Sequence, residues 1–294
     1  MACVLSAFSD EAGGSCAEQI AGLRRAGLHY MDIRNIDGHN ITVLPLEQAR
    51  IIRPLLDAAG LRVNMFGSPL GKIDLADDFQ IDIGKLKHMG ALAPILGCRA
   101  VRIFSYYNKT GKPAAEFRKM ALQRLNELAK IASDLGMVLY HENEGAIFGE
   151  KVSEIEVINA EVVARWTPKV FGLIFDFGNY NAAREDVWAN WLRLRDMTHA
   201  LHLKDNVLVG DGFHHVVVGQ GGGCVERILA DAAARGFSGP LTVEPHLQHS
   251  AAVLATGVTG QPNQAYNKMS GADSFHAACT AARELCKKVG LATT

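Results

Sequence analysis

Glu142, Asp176, His202 and Glu244 combine donor types that hold a divalent cation with positions at the ends of short apolar runs. The runs read Val138-Leu-Tyr-His141-Glu142, Leu173-Ile-Phe-Asp176, Leu201-His202 and Leu241-Thr-Val-Glu244. A carboxylate buried at such a place is costly unless it is paired. Three acids and an imidazole that share one ion remove most of that cost. Taken singly, an acid after a strand serves as well as a helix N-cap or half of a surface ion pair. A lone histidine serves as well as a hydrogen-bonded core residue. The four together point to a metal. Oxygen and nitrogen donors without a thiolate suit Mn²⁺ first, with Mg²⁺, Co²⁺ or Zn²⁺ also open.

These residues must be brought together by the elements that carry them. Eight β-rich runs alternate with helix-length amphipathic segments: Val4–Phe8, Tyr30–Ile33, Arg62–Phe66, Ala100–Phe104, Val138–Glu142, Phe171–Asp176, Ala200–Leu203 and Pro240–Glu244. Each run is brief and apolar, as strands covered on both faces are. Between them, helical spacing predicts Cys16–Ala26, Leu46–Ala59, Glu116–Leu135 and Val225–Ala234, and Gly27, Gly60, Gly97, Gly136 and Gly236 stand as helix stops. Eight such units without a linker predict an α/β fold, a single-domain (β/α)₈ barrel over residues 1–294, whose chemistry gathers where the strands end. An open doubly wound sheet would place a glycine-rich phosphate loop after its first strand, where this chain has Ser9-Asp10-Glu11. Gly221-Gly222-Gly223 reads instead as a turn into the helix at Val225.

The segment 245–270 exceeds an ordinary βα loop and follows the eighth strand. It is expected to be a lid over the mouth or a contact in a homo-oligomer. A net charge of −1 gives no footprint for nucleic acid. No apolar run is long enough to span a bilayer, and the N-terminus lacks the form of a signal peptide. Six scattered cysteines with no CxxC pair fit free thiols in a reducing cytoplasm.

The chain resembles the xylose isomerase-like TIM-barrel superfamily, and within it the bacterial sugar phosphate isomerase/epimerase group. The carriers, one per strand end, are Ser9-Asp10-Glu11, Asp32-Ile-Arg34-Asn-Ile-Asp37-Gly38, Gly67-Ser-Pro-Leu-Gly-Lys72, His141-Glu-Asn-Glu144, Phe175-Asp-Phe-Gly-Asn179, His202-Leu-Lys-Asp205, Gly219-Gln-Gly221 and Val243-Glu-Pro245. The resemblance implies that Glu142, Asp176, His202 and Glu244 are the metal ligands. It also implies isomerisation or epimerisation of a small sugar or sugar derivative, by proton removal beside a carbonyl through a metal-stabilised enediolate. Two carboxylates can then act as base and acid. Glu142 and Glu244 are the natural pair, with Glu142 as the base.

Substrate contacts are expected from Arg34, Lys72, Asn179, Lys204 and His215. Each has a plainer reading: an inter-loop ion pair for Arg34 and Lys72, a cap for Asn179, a pairing of Lys204 with Asp205, and a solvent-exposed loop histidine for His215. Glu144 is expected to brace the loop after strand five. In ketose 3-epimerases of the superfamily a histidine stands three places after the strand-six aspartate, where this chain has Asn179. An arginine follows the strand-seven histidine there, where Asn206-Val-Leu-Val follows here. A free-hexulose 3-epimerase is therefore not the expected specificity. Rival readings are a metal-dependent dehydratase or lyase acting on a keto-sugar or keto-glycoside, and a non-catalytic sugar-binding barrel. The related apurinic endonucleases would need histidines where Phe66-Gly67-Ser68 and Phe104-Ser105-Tyr106 stand.

Overall fold

A computed structural model describes residues 2–248, 251–254 and 260–294, with only the backbone of 251 and 252. Eight parallel strands form one sheet: β1 (Leu5–Ala7), β2 (Tyr30–Ile33), β3 (Arg62–Leu70), β4 (Ala100–Ile103), β5 (Val138–Glu142), β6 (Phe171–Asp176), β7 (Ala200–Leu203) and β8 (Leu241–Val243). Neighbours in sequence are neighbours in space from β2 to β8, and β8 pairs with β1 in the register Leu5 to Leu241. A single parallel bridge from Phe8 to Asp32 links β1 to β2 and closes the ring. Strand periodicity predicts four of these strands to the residue. β3 continues four residues past the expected Phe66, because its register with β4 shifts between Phe66 and Leu70.

Helices lie between the strands: α1 (Cys16–Ala26), α2 (Leu46–Ala58), α3 (Gln80–Leu96) and α4 (Ala114–Leu135) cover the first half. Ser15 and Glu18 form a capping box at the start of α1. The five glycines expected as helix stops all take left-handed φ, between 64° and 72°, which a Cβ would penalise. After β5 come α5 (Val152–Ile158), a π-turn over Asn159–Val163 and α6 (Ala164–Trp166). After β6 follow α7 (Phe177–Ala182) and α8 (Val187–Leu194), and α9 (Val225–Ala234) precedes β8. α11 (Gly271–Lys288) packs against α1 and completes the outer layer. Among the described residues no helix is long and apolar enough to cross a membrane.

Inside the ring, alternate strand residues point inward. Ser6, Asp32, Asn64 and Thr242 form a fully hydrogen-bonded polar layer: the Asn64 amide donates to Asp32 at 2.7 Å and the Thr242 hydroxyl to its other oxygen at 2.8 Å. The candidate ligands occupy the inward positions at the strand ends.

Two features depart from the expected loops. The stretch after β7 forms a β-hairpin, Asp205–Val209 with Gly212–Val216, turned by Gly210 and Asp211. In the segment after β8, α10 (Ala251–Leu254) is followed by Gln261, which bridges to His214 on the hairpin; the Asn263 amide donates to the His215 carbonyl at 2.8 Å. Residues 249–250 and 255–259 of the expected lid or oligomer contact lie outside the described residues.

Candidate metal centre at the barrel mouth

The ends of β5, β6, β7 and β8 bring Glu142, Asp176, His202 and Glu244 together, all buried, with one donor atom from each within 4.8 Å of the others. His202 Nδ1 lies 3.2 Å from Glu142 Oε1, 3.1 Å from Glu244 Oε2 and 3.9 Å from Asp176 Oδ2. Three carboxylate oxygens and one imidazole nitrogen converging in this way form a donor set that fits a divalent cation. A buried donor without a hydrogen bond supports the fit: Asp176 Oδ2, one of the converging oxygens, has none. Such groups are rare in a folded interior unless they have another task.

Cations of the chain surround the acids. The Lys204 ammonium is 3.0 Å from Asp176 Oδ2, 3.4 Å from Glu244 Oε2 and 3.8 Å from Glu142 Oε1, the same three oxygens that face His202. Its approach to Asp176 makes an ion pair without hydrogen-bond geometry. Arg102, inward on β4, sets Nη1 3.3 Å from both Glu142 Oε2 and Glu244 Oε1. Arg34 forks onto Asp10 with two bonds of 2.9 Å, reaches Glu11 at 3.3 Å, and holds Nη1 3.6 Å from Glu244. The Phe8 ring lies under both guanidiniums, 4.9 Å from Arg34 and 4.7 Å from Arg102, with its edge toward His202.

The electrostatics follow from this crowding. Burial pushes the Asp176 carboxyl up to about 8, against the pull of Lys204. Burial lowers His202, but the Glu142 and Glu244 carboxylates beside it together overcome this and raise the ring to about 10. Glu142 and Glu244 are both held below the usual carboxylate range: burial opposes this, but His202 with Arg102 outweighs it at Glu142, and Lys204 with His202 and His246 at Glu244. Both glutamates are thus ionised.

The remaining sequence-predicted residues divide. Lys204 joins the cluster and does not pair with Asp205, whose carboxylate instead accepts from the backbone N–H groups of Gly219, Gly221 and Gly223 at 2.9 Å each. A Cβ on Gly221 would lie 2.3 Å from that carboxylate, which explains the glycine. Asn179 is not the cap: Asp176 caps α7 by accepting from the Asn179 backbone N–H, while the Asn179 amide donates to Glu142 Oε1 at 3.3 Å and the Asn143 carbonyl at 2.8 Å. Lys72 pairs with Glu144 at 2.9 Å, so the bracing expected of Glu144 runs through that lysine. His215 is not a solvent-exposed loop residue; it is buried on the hairpin, with its ring 5.3 Å from that of His246.

Three contributors escape the sequence reading. Arg102 carried a signal, a charge at an inward position of an apolar run. Glu11 and His246 had none, because their contact spans 235 residues: His246 Nδ1 and Glu11 Oε1 are 2.9 Å apart, and the other ring nitrogen is 3.2 Å from Glu244.

A family profile described as xylose isomerase-like TIM barrel matches residues 20–266. No curated protein sequence matches. Among solved structures, the chain is similar to the probable 3-DHS dehydratase AsbF of Bacillus anthracis (15% identity, 96% of this chain and 99% of that one, TM-score 0.71). It is similar to the IOLI protein with a bound zinc atom (16%, 97% and 99%, 0.72). It is likewise similar to D-allulose 3-epimerase from Methylomonas sp. in complex with D-allulose (18%, 96% and 97%, 0.70). At these identities the likeness is one of fold.

Proposed function

Since the chain belongs to the xylose isomerase-like TIM barrel family, we propose that it is a sugar isomerase or epimerase that moves a proton at the carbon beside a carbonyl. In this reading Glu142 and Glu244 exchange the proton, and Glu142, Asp176, His202 and Glu244 hold a divalent cation. Mn²⁺ is the first candidate on the chemistry of the donor set. When bound, such an ion supplies Lewis acidity at the carbonyl oxygen.

The observation that carries the reading is the division of labour within the two glutamates. Each turns one oxygen to the ligand cluster and the other to Arg102. The oxygens differ in freedom. Glu142 Oε2 makes no hydrogen bond, whereas Glu244 Oε1 is flanked by Arg102, Arg34 and His246. The freer oxygen is the better proton acceptor, so Glu142 is the base. Glu244, ringed by positive groups and ionised at the outset, is the partner that returns a proton once it has taken one up from solvent. Lys204, Asn179 and Arg102 fix where both carboxylates point. Arg34 Nη1 and both ring nitrogens of His215 are buried without hydrogen bonds; Arg34 is a proposed donor to substrate oxygens, and the His215 ring, kept neutral by burial, offers one donor and one acceptor. Lys72 at the mouth's edge completes this set. The six unpaired cysteines support a reducing, cytoplasmic setting.

Deuterium wash-in from heavy water across a panel of keto-sugars, with the Mn²⁺-loaded protein, tests this. Glu142→Gln is expected to abolish exchange while Mn²⁺ still binds, because three ligands and an amide oxygen remain. Unchanged exchange in that variant would sink the mechanism.

A second reading, a dehydratase or lyase, is favoured by the dehydratase among the similar structures. It begins with the same proton removal and then expels a β-substituent, so loss of water or alcohol by mass spectrometry identifies it.

A further inference from the structure

We infer that His246, clamped by Glu11, is a positioning residue for Glu244: it holds one oxygen of that carboxylate away from the ligand cluster and so presents the other to it. The inference rests on the reading above of Glu244 as a metal ligand and proton partner.

The need for such a residue follows from where β8 ends. Its ladder with β1 spans Leu241–Val243, and the Phe8 N–H extends that seam by one bond, donating to the Val243 carbonyl at 3.1 Å. Glu244 stands beyond the ladder, its own N–H turned to the Leu203 carbonyl of β7 at 3.2 Å. The terminal torsion of a glutamate is broad and close to two-fold, so the backbone does not choose which oxygen meets the cluster.

Past that point a side-chain clamp takes over the seam. Glu11 closes the 3₁₀ turn Ser9–Glu11 after β1, and His246 lies two residues beyond Glu244; both are buried. Glu11 Oε2 accepts the His246 backbone N–H at 2.9 Å, and Glu11 Oε1 lies 2.9 Å from ring Nδ1. One carboxylate thus fixes the backbone and the ring of the same residue. Arg34 secures Glu11 in turn, with Nη2 3.3 Å from Oε1. The His246 backbone is left-handed, with φ 47°, which a histidine keeps where its surroundings enforce it.

The clamped ring sets its other nitrogen 3.2 Å from Glu244 Oε1. Oε2 of the same carboxylate faces His202 and Lys204. Arg102 Nη1 also reaches Oε1, at 3.3 Å, but it is shared with Glu142 at the same distance. Among the described residues, His246 faces Glu244 and none of the other three candidate ligands. Its contact is therefore the one that distinguishes the two oxygens of Glu244.

Mn²⁺ alone tests this, with binding to His246→Gln and His246→Asn read by electron paramagnetic resonance. A glutamine amide reaches the place of Nε2, and an asparagine amide that of Nδ1. Both remove the imidazole and its charge, so that loss cancels between them. Asparagine also accepts the left-handed backbone. Outer partners of ligands are worth roughly 10- to 100-fold in metal affinity or activity. His246→Gln is accordingly expected to bind Mn²⁺ roughly tenfold more tightly than His246→Asn. It should also keep the bound-ion line shape of the parent, which His246→Asn should alter. Equal affinities, or tighter binding by His246→Asn, would show that the residue merely fastens the chain to Glu11, and would overturn the inference.

Glu11→Gln gives a second measurement without touching a ligand. Affinity should fall, and fall less in the His246→Asn background, because Glu11 acts through the ring. An equal fall in both backgrounds overturns the clamp. Should the His246 variants fail to fold, by the melting of metal-free protein, an unchanged affinity in Glu11→Gln overturns it instead. A parent protein that binds no Mn²⁺ defeats the metal reading and this inference together. A parent that binds it, with no difference between the two amides, defeats this inference alone.

Discussion

Lys204 decides how the four candidate ligands behave. Its ammonium touches the three carboxylate oxygens that a cation would need, so the two positive charges compete for the same partners. Lys204→Met is expected to tighten Mn²⁺ binding roughly tenfold, read by electron paramagnetic resonance of free Mn²⁺, because at least 1 kcal/mol of repulsion is of the order expected between charges a few ångströms apart near ε of about 20. Weaker binding in the variant would mean that the lysine only braces the carboxylates. A pH dependence follows from the same crowding. Near neutral pH, Asp176 (about 8) and His202 (about 10) hold protons that ligation must displace. Mn²⁺ affinity should therefore rise as pH increases from about 6 to 8, by up to about tenfold per unit for each proton released. Calorimetry in buffers of different ionisation enthalpy counts those protons; a flat profile contradicts the assignment. The candidate ligands could be picked out in the sequence because each stands at or beside the end of an apolar run, and strand alternation fixes which way it points. Their cationic neighbours were not: a long Lys or Arg side chain can carry its charge several ångströms from its backbone, and periodicity says nothing of where the head comes to rest.

At the scale of elements, the hairpin Asp205–Val209 with Gly212–Val216 is held to the barrel by Asp205 and by Asn206, whose amide donates to the Gly178 carbonyl and accepts from Asn181. Asp205 accepts from three glycine N–H groups of the turn before α9. Asp205→Ala leaves those donors without an acceptor, at a cost of about 2–5 kcal/mol. A clear fall in melting temperature is expected, with faster amide exchange at Gly219, Gly221 and Gly223. A variant as stable as the parent would show that the carboxylate is not an anchor. The hairpin's signal was present in the sequence, since Gly210-Asp211 is a two-residue turn between β-rich flanks. It was hidden by the regularity around it: one strand for each unit accounts for the barrel, and a second pair inside a single connection falls outside that rhythm. His215 was misplaced for the same reason, because a loop residue is expected in solvent and a hairpin residue facing His246 is not.

For the whole molecule, the alternation of eight strands and helices was enough to specify the barrel. Each strand had to be mostly apolar, with polar residues admitted inward at paired positions, and each helix apolar on one face, and glycine stops marked the boundaries. The closing contacts were not legible, because nothing local in Phe8 or Asp32 announces a bridge. An ion bound only by the folded ring should stabilise it. At 100 times its dissociation constant, Mn²⁺ contributes about 2.7 kcal/mol, which in a chain of this size corresponds to a rise of roughly 4–8 °C in melting temperature. Chelator should reverse the shift. A melting temperature unmoved by saturating Mn²⁺ would mean that the folded protein does not hold it.

The pairing of β1 with β8 also has a consequence for biosynthesis. The barrel's first strand has its ladder partner 236 residues later. Strands two to seven can zip to one another as they emerge, whereas β1 must wait beside an open sheet edge, a template for misassociation. Because Glu11 meets His246 across the same span, the candidate site at the mouth is finished after the rest of the barrel. A nascent chain lacking its final sixty or so residues would carry most of the barrel and no working site, and chaperone engagement should peak in that interval.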